Sequence, residues 1–453
     1  MITLATLLAL GCGTGDEEPV FGQHSSSSST DGPPNMLIIV LDDFGVEASA
    51  CYPDMGVPRA PQPNMEALCA QGVVFDQAWA HPLCSPTRAA LLTGRAAWRT
   101  GVGQAIAGES FALAEDEPTL PRLLTASGAG YSTSLIGKWH LGIDTDGPGI
   151  AGFQYFSGTM PGHIDDYNHY AKFENDTWVD VDNYATTEQV DDALEWIRGQ
   201  GDPWMMMLNF NSPHTPLHEP PEHLHSLDFS ALDGDEDIDD LHYVAMVEAI
   251  DTEIGRLLSS LGSGRLENTT IVIMGDNGSD YITTWDLLTA ENAKGTLYNG
   301  GVHVPMVIAG AGVQQGGRRV ADMVGAIDLH ATLVEMAGGD YENLTGKETD
   351  SVSLIPYLED PQAGPVRDEL LVELYGSRVE DIFQGRAVRD ERYKLVRIDT
   401  TGDELYDLQF DPWEGNDLLV GDRLTPQAAE AYQALAATLD ELPAVPEDVE
   451  ENW

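Results

Sequence analysis

The run Met36-Leu37-Ile38-Ile39-Val40-Leu41 is apolar at every position and stops abruptly at Asp42-Asp43. A strand with one wet face alternates, so an unbroken run predicts a strand buried on both sides of a sheet. Trp204 to Phe210 and Thr270 to Met274 repeat the pattern, and Gly130 to Ile136 reads as another strand. Between them, Tyr243 to Leu261 carries apolar residues at helical spacing. Buried strands alternating with helices predict an α/β fold, a large mostly parallel central sheet flanked by helices. Open α/β sheets hold their ligands at the C-terminal ends of the strands. There the first run delivers Asp42 and Asp43, and the Thr270–Met274 run delivers Gly275-Asp276-Asn277-Gly278. Carboxylate and carboxamide oxygens suit a hard cation, calcium or magnesium, and both pairs would serve one ion if their strands are neighbours. Taken singly, Asp-Asp is a solvated turn pair and Asp-Asn-Gly an ordinary turn signal.

Cys84-Ser85-Pro86-Thr87-Arg88 has the grammar of a helix start. Ser85 suits the N-cap, Pro86 the first helical position, and Gly94 can close the apolar turn Ala89 to Leu92. Cys84 would then sit just ahead of a helix N-terminus, a place that favours an anion. An inert buried cysteine is the plainer reading of the residue by itself. In Gly137-Lys138-Trp139-His140-Leu141-Gly142, Lys138 and His140 are two apart, so an extended segment would put both on one face. Together they could hold an anion and move a proton. The formal charge of −53 argues against nucleic acid and against anionic lipid as partners. It also means that an anionic substrate needs a local cluster of cations, in a chain that has only five lysines.

The Cys84–Arg88 string, continued by Ala89-Ala90-Leu91-Leu92-Thr93-Gly94-Arg95, resembles the signature of the type I, formylglycine-dependent sulfatases of the alkaline-phosphatase superfamily. Further strings resemble that family in its own order from residue 35 to about 420. They include Asp42-Asp43, Pro63-Asn64 leading to Phe75, Gly137 to Gly142, Pro213-His214-Thr215-Pro216, Asp276-Asn277-Gly278, Lys294 ahead of Gly300-Gly301, Tyr393-Lys394-Leu395 and Glu404-Leu405-Tyr406-Asp407-Leu408. Gln154, Asn299 and His303 depart from its usual Asp, Glu and Arg. The resemblance implies a sulfuric ester hydrolase whose Cys84 is oxidised to formylglycine by a formylglycine-generating enzyme. It implies one calcium, with magnesium second, held by Asp42, Asp43, Asp276, Asn277 and an oxygen of the modified Cys84. Arg88 would lower the pKa of the hydrated aldehyde, and Lys138 and Lys294 would neutralise the sulfate. His214 would be the general acid to the leaving alcohol, and His140 would remove the second hydroxyl proton. The substrate would be a sulfated small molecule or saccharide. Two other functions compete: a phosphonate monoester or phosphodiester hydrolase of the same superfamily, and a non-catalytic binding lipoprotein with Cys84 unmodified. His218, His223 and His225 are read as loop or rim residues. Asp165, Asp166 and His169 could touch a sugar, with a solvated loop the plainer reading.

Residues 1–12 resemble a lipoprotein signal without its basic start, making Cys12 a lipid-anchor site and the protein exported, at the periplasm or cell surface. Residues 13–34 read as a flexible tether; the resemblance implies a catalytic α/β domain over 35–365 and a C-terminal subdomain with a small antiparallel sheet over 366–453. Cys51 and Cys69 remain, and a disulfide between them would suit export, though spacing alone leaves it open.

Overall fold

The computed structural model describes residues 32–443 except 109–110, 175, 232–237, 340, 342–343, 345, 377–378, 381–382 and 422. The signal with Cys12, and the tether as far as residue 31, lie outside the described residues, as does 444–453. Ten strands form the main sheet: β1 (Asn35–Leu41), β2 (Val73–Trp79), β3 (Ser132–Lys138), β4 (Tyr155–Thr159), β5 (Tyr170–Glu174), β6 (Thr177–Val181), β7 (Trp204–Asn209), β8 (Thr269–Gly275), β9 (Met306–Gly310) and β10 (Arg318–Gly325). Their order is β10-β2-β9-β8-β1-β7-β3-β4-β5-β6. The central strands β8, β1, β7, β3 and β4 run parallel, as does the pair β10 and β2. Strand β9 and the β5–β6 hairpin are antiparallel insertions.

The apolar run is fully buried, as its composition requires. Met36, Ile38 and Val40 pack toward the Cys84–Thr93, Leu120–Ala126 and Asp328–Met336 helices. Leu37, Ile39 and Leu41 face the Ala185–Arg198 and Ile238–Leu261 helices. At roughly 1.5–3 kcal/mol per buried large side chain, these six supply about 10–20 kcal/mol before chain entropy is counted. That apolar burial is what allows charged groups to be held dry at the strand's end.

A separate four-stranded antiparallel sheet follows, in the order β11 (Leu370–Leu374), β12 (Gly385–Arg389), β13 (Tyr393–Ile398), β14 (Gly402–Asp407). One face packs on Trp79, Leu297, Val302 and Met323 of the main domain. The other is covered by the Pro426–Glu441 helix through Ala428, Leu435 and Leu439. Asn299 and His303 are structural: the Asn299 carboxamide donates to the Pro412 carbonyl at 2.9 Å, and His303 Nε2 lies 2.9 Å from the Asp76 carbonyl. Cys51 and Cys69 form a disulfide between the loop after β1 and the Pro63–Cys69 helix.

Candidate active site

Strand pairing assembles the site. β1 and β8 run parallel with Leu41 opposite Gly275, so Asp42 and Asp276 leave the sheet side by side. The Asp276 N–H donates to the Leu41 carbonyl at 3.0 Å, the Asp43 N–H to Asp276 Oδ1 at 3.2 Å, and Asn277 Nδ2 to Asp43 Oδ1 at 2.8 Å. Asp43 takes a left-handed backbone, φ 63°, and Tyr243 Oη donates to its carbonyl at 2.9 Å. The ligating atoms of Asp42, Asp43, Cys84 and Asp276 all lie within 4.8 Å of one another, and all four residues are buried. Among the described residues, Asp42 Oδ1 and Asn277 Oδ1 are buried with no hydrogen-bond partner. Buried oxygens are rarely left unpaired, and a set of carboxylate and carboxamide oxygens is what a hard divalent cation takes. The residues present therefore fit such an ion.

Each carboxylate meets a cation. Lys138 Nζ donates to Asp42 Oδ2 at 2.5 Å, and Lys294 Nζ to Asp43 Oδ2 at 2.6 Å. Arg88 donates through Nη2 and Nε to Asp276 Oδ2 at 2.7 and 3.1 Å, and through Nη1 to the Lys138 carbonyl at 3.1 Å. His214 Nδ1 lies 2.8 Å from the Thr215 carbonyl, and its Nε2 is 3.8 Å from Asp43 Oδ2. Three cations thus balance three carboxylates, and an added divalent ion would leave the site positive inside a strongly negative molecule. Burial alone would raise the Asp42 pKa, but Lys138, His214, Arg88 and Lys294 together hold it well below the carboxylate range. Burial, with the Asp42 charge beside it, lifts Asp276 to about 6. Burial pushes the Cys84 thiol up to about 12. Burial first, then Lys138 and Arg88, keep the His140 pKa well below normal, so the resting ring is neutral.

Two local expectations need correction. The helix begins at Cys84 itself, with Leu83 at the N-cap and no side-chain cap. Ser85 instead donates to the His140 carbonyl at 2.8 Å and accepts from the Ile106 N–H at 3.0 Å, because tertiary partners take its hydroxyl. Nor is the Lys138–His140 segment extended. Strand β3 ends at Lys138, and His140 adopts φ 57°. A left-handed turn, and not strand alternation, brings His140 to the cleft.

That cleft encloses about 570 Å³ and is lined by Cys84, His140, His214 and Lys294. Its walls come from segments with no sequence signal: Gln104 to Gly108, Ile143, Pro161-Gly162-His163 and Val379, which follows β11. Tyr167 also carried none, yet its hydroxyl donates to the carbonyls of Asn211 and His214 and braces the His214 loop. Asp165 and the His169–Asp182 pair are solvated. Of the rim histidines, His218 packs on Tyr167 and Tyr184, and His225 Nε2 lies 3.0 Å from the Pro220 carbonyl.

Residues 34–339 match the family model "Sulfatase". The chain belongs to the sulfatase family. As a sulfatase it is a sulfuric ester hydrolase, and membership implies formylglycine and a divalent metal. Residues 292–443 of this sulfatase also match "N-sulphoglucosamine sulphohydrolase, C-terminal". Human arylsulfatase A is 29% identical, over 90% of this chain and 88% of that protein. Dog N-acetylgalactosamine-6-sulfatase is 29% identical over 68% of this chain and 62% of its own. Among solved structures, Ps i-CgsB in complex with k-i-k-neocarrahexaose superposes with a TM-score of 0.77 at 23% identity, covering 93% of this chain and 97% of that one. BT4656 in complex with D-glucosamine-2-N,6-O-disulfate gives 0.72 at 22% identity, covering 90% and 98%.

Proposed function

We propose that this sulfatase cleaves a sulfate ester of a saccharide or similar small molecule, using formylglycine at position 84 and one calcium ion. The observation that carries the reading is the buried cluster of Asp42, Asp43, Asp276 and Cys84, with a cation against each carboxylate. Asp42, Asp43, Asp276 and Asn277 would hold the ion, and a loose all-oxygen set of mixed charge favours calcium over magnesium. Hydrated formylglycine supplies an oxygen nucleophile with a second hydroxyl, which a serine would lack. Lys138 and Lys294 face the sulfate oxygens, and such fixed charge is typically the largest catalytic term. Arg88 holds Asp276 and lowers the pKa of the hydrated aldehyde. His214 gives a proton to the departing alcohol, and His140 takes one at position 84 so that sulfate can leave. Ps i-CgsB and BT4656 are each solved in complex with a carbohydrate, which supports a saccharide as the alcohol. We further propose the domain limits 35–365 and 366–453, and export as a lipoprotein anchored at Cys12.

The test is a panel assay on enzyme of known formylglycine content: 4-nitrophenyl sulfate, mono- and disulfated saccharides, phenyl phosphonate and a phosphodiester. Sulfate release on at least one ester, well above every phosphorus substrate, is expected. Preference for the phosphonate or phosphodiester, or no turnover of any ester, would overturn the reading.

A further inference from the structure

Among the described residues, His140 finds no hydrogen bond for its Nδ1, which is buried without a partner. It nevertheless holds a left-handed backbone, φ 57°, which a residue bearing a Cβ keeps only when its surroundings impose it. Two residues outside the proposed chemistry impose it. The Ser85 hydroxyl, fully buried, donates to the His140 carbonyl at 2.8 Å while accepting from the Ile106 N–H at 3.0 Å. One hydroxyl thus fastens the residue next to position 84, the backbone of His140 and the cleft wall at Ile106. From the other side, Gly162 lies against the imidazole: a Cβ there would come within 2.3 Å of His140 Cε1 and Nε2. The His140 N–H donates to the Met160 carbonyl at 3.1 Å, so the same loop holds both backbone and ring.

The geometry points to Ser85 and Gly162 as positioning residues that set the His140 ring against the side chain at position 84, Ser85 through the backbone and Gly162 through its missing Cβ. The inference rests on the reading that His140 takes the proton that lets sulfate leave. Loosening the clamp slows that second step and leaves the first, in which alcohol departs with His214's proton, almost unchanged. A displacement of about 1 Å at such a position typically costs on the order of 10²-fold in rate.

The test is stopped-flow release of 4-nitrophenol by the full-length enzyme, with rates expressed per formylglycine counted by mass spectrometry. His140→Ala, Ser85→Ala and Gly162→Ala are each expected to give a burst of about one equivalent at near-native rate, then a steady state on the order of 10²-fold slower. Ser85→Thr, which keeps the hydroxyl, returns the steady state to near the native rate. A burst in His140→Ala with none in either Ser85→Ala or Gly162→Ala overturns the clamp and spares the role of His140. No burst in His140→Ala overturns that role and the clamp with it. Because Gly162→Ala leaves the nucleophile helix untouched, a folding or maturation defect in Ser85→Ala cannot imitate the expected pattern in both variants.

Discussion

A lysine at position 88 would carry the same charge and fail at the same task. Arg88 makes two hydrogen bonds to one Asp276 oxygen and a third to the Lys138 carbonyl, a fork that an ammonium cannot span. Arg88→Lys is expected to lower kcat about 10²-fold and to weaken metal binding by roughly tenfold, because Asp276 loses its alignment. Calcium titration by calorimetry beside initial rates checks both; unchanged values in either would remove Arg88 from the metal's support. At this scale the sequence was readable where residue type decides the chemistry. Asp42, Asp43, Asp276 and Asn277 stand together as their types suggested, with Lys138 and Lys294 against them as the family resemblance implied. It was unreadable where a role depends on a distant partner, as with the Ser85 hydroxyl, Tyr167 and Tyr243.

Among the elements, the site depends on turns that approach closer than a side chain allows. A Cβ on Gly278 would fall 1.8 Å from the Gly300 carbonyl oxygen, where the loop after β8 meets the Asn299–Val302 helix. The Gly278 N–H donates to the Gly301 carbonyl at 2.9 Å. Gly278→Ala must push the two segments apart, and overpacking of this kind costs about 1–3 kcal/mol. The expected result is a lower Tm together with reduced stabilisation by calcium, since Asn277 moves with the turn. A lower Tm with the full calcium-induced rise would show that the turn supports the fold and not the metal. The buried strands were legible because an apolar run has one physical solution. The left-handed turn at His140 was not, since nothing in Lys138-Trp139-His140 opposes strand continuation; the loops that cross over the sheet end impose it.

Across the whole molecule, three desolvated histidines tie stability to pH. His81 and His330 are buried and His303 is half-buried, and desolvation lowers each pKa to about 4 from an unfolded value near 6.5. The unfolded chain therefore binds protons first as pH falls, so each neutral histidine contributes stability that is present above about 6.5 and lost toward 4. The loss is on the order of 3 kcal/mol per histidine when complete. Asp251 and Asp276, each lifted by burial to about 6, take up protons in the folded chain within the same window, so the histidine contribution is read by removing one ring. His330 is buried against Tyr341, so His330→Phe should flatten the slope. Chemical denaturation at pH 7.5 and 4.5 checks this; parallel slopes in native and variant protein would contradict it. Fold class was legible from strand pattern, and the C-terminal sheet from the resemblance of Tyr393-Lys394-Leu395 and Glu404 to Leu408 to the family's strings. The cleft was not, because its wall joins Gln104 to Gly108 and His163 with Val379 of the C-terminal sheet region, residues joined by the fold and by no local pattern.

The central claim is that hydrolysis runs through an oxidised residue 84 beside the bound ion. It is tested most directly by preparing the enzyme with graded amounts of formylglycine-generating enzyme, counting conversion of the Cys84 peptide by mass spectrometry, and measuring sulfate release. The account predicts specific activity proportional to conversion and extrapolating to zero for the unmodified cysteine. Activity that is the same at every level of conversion would contradict it.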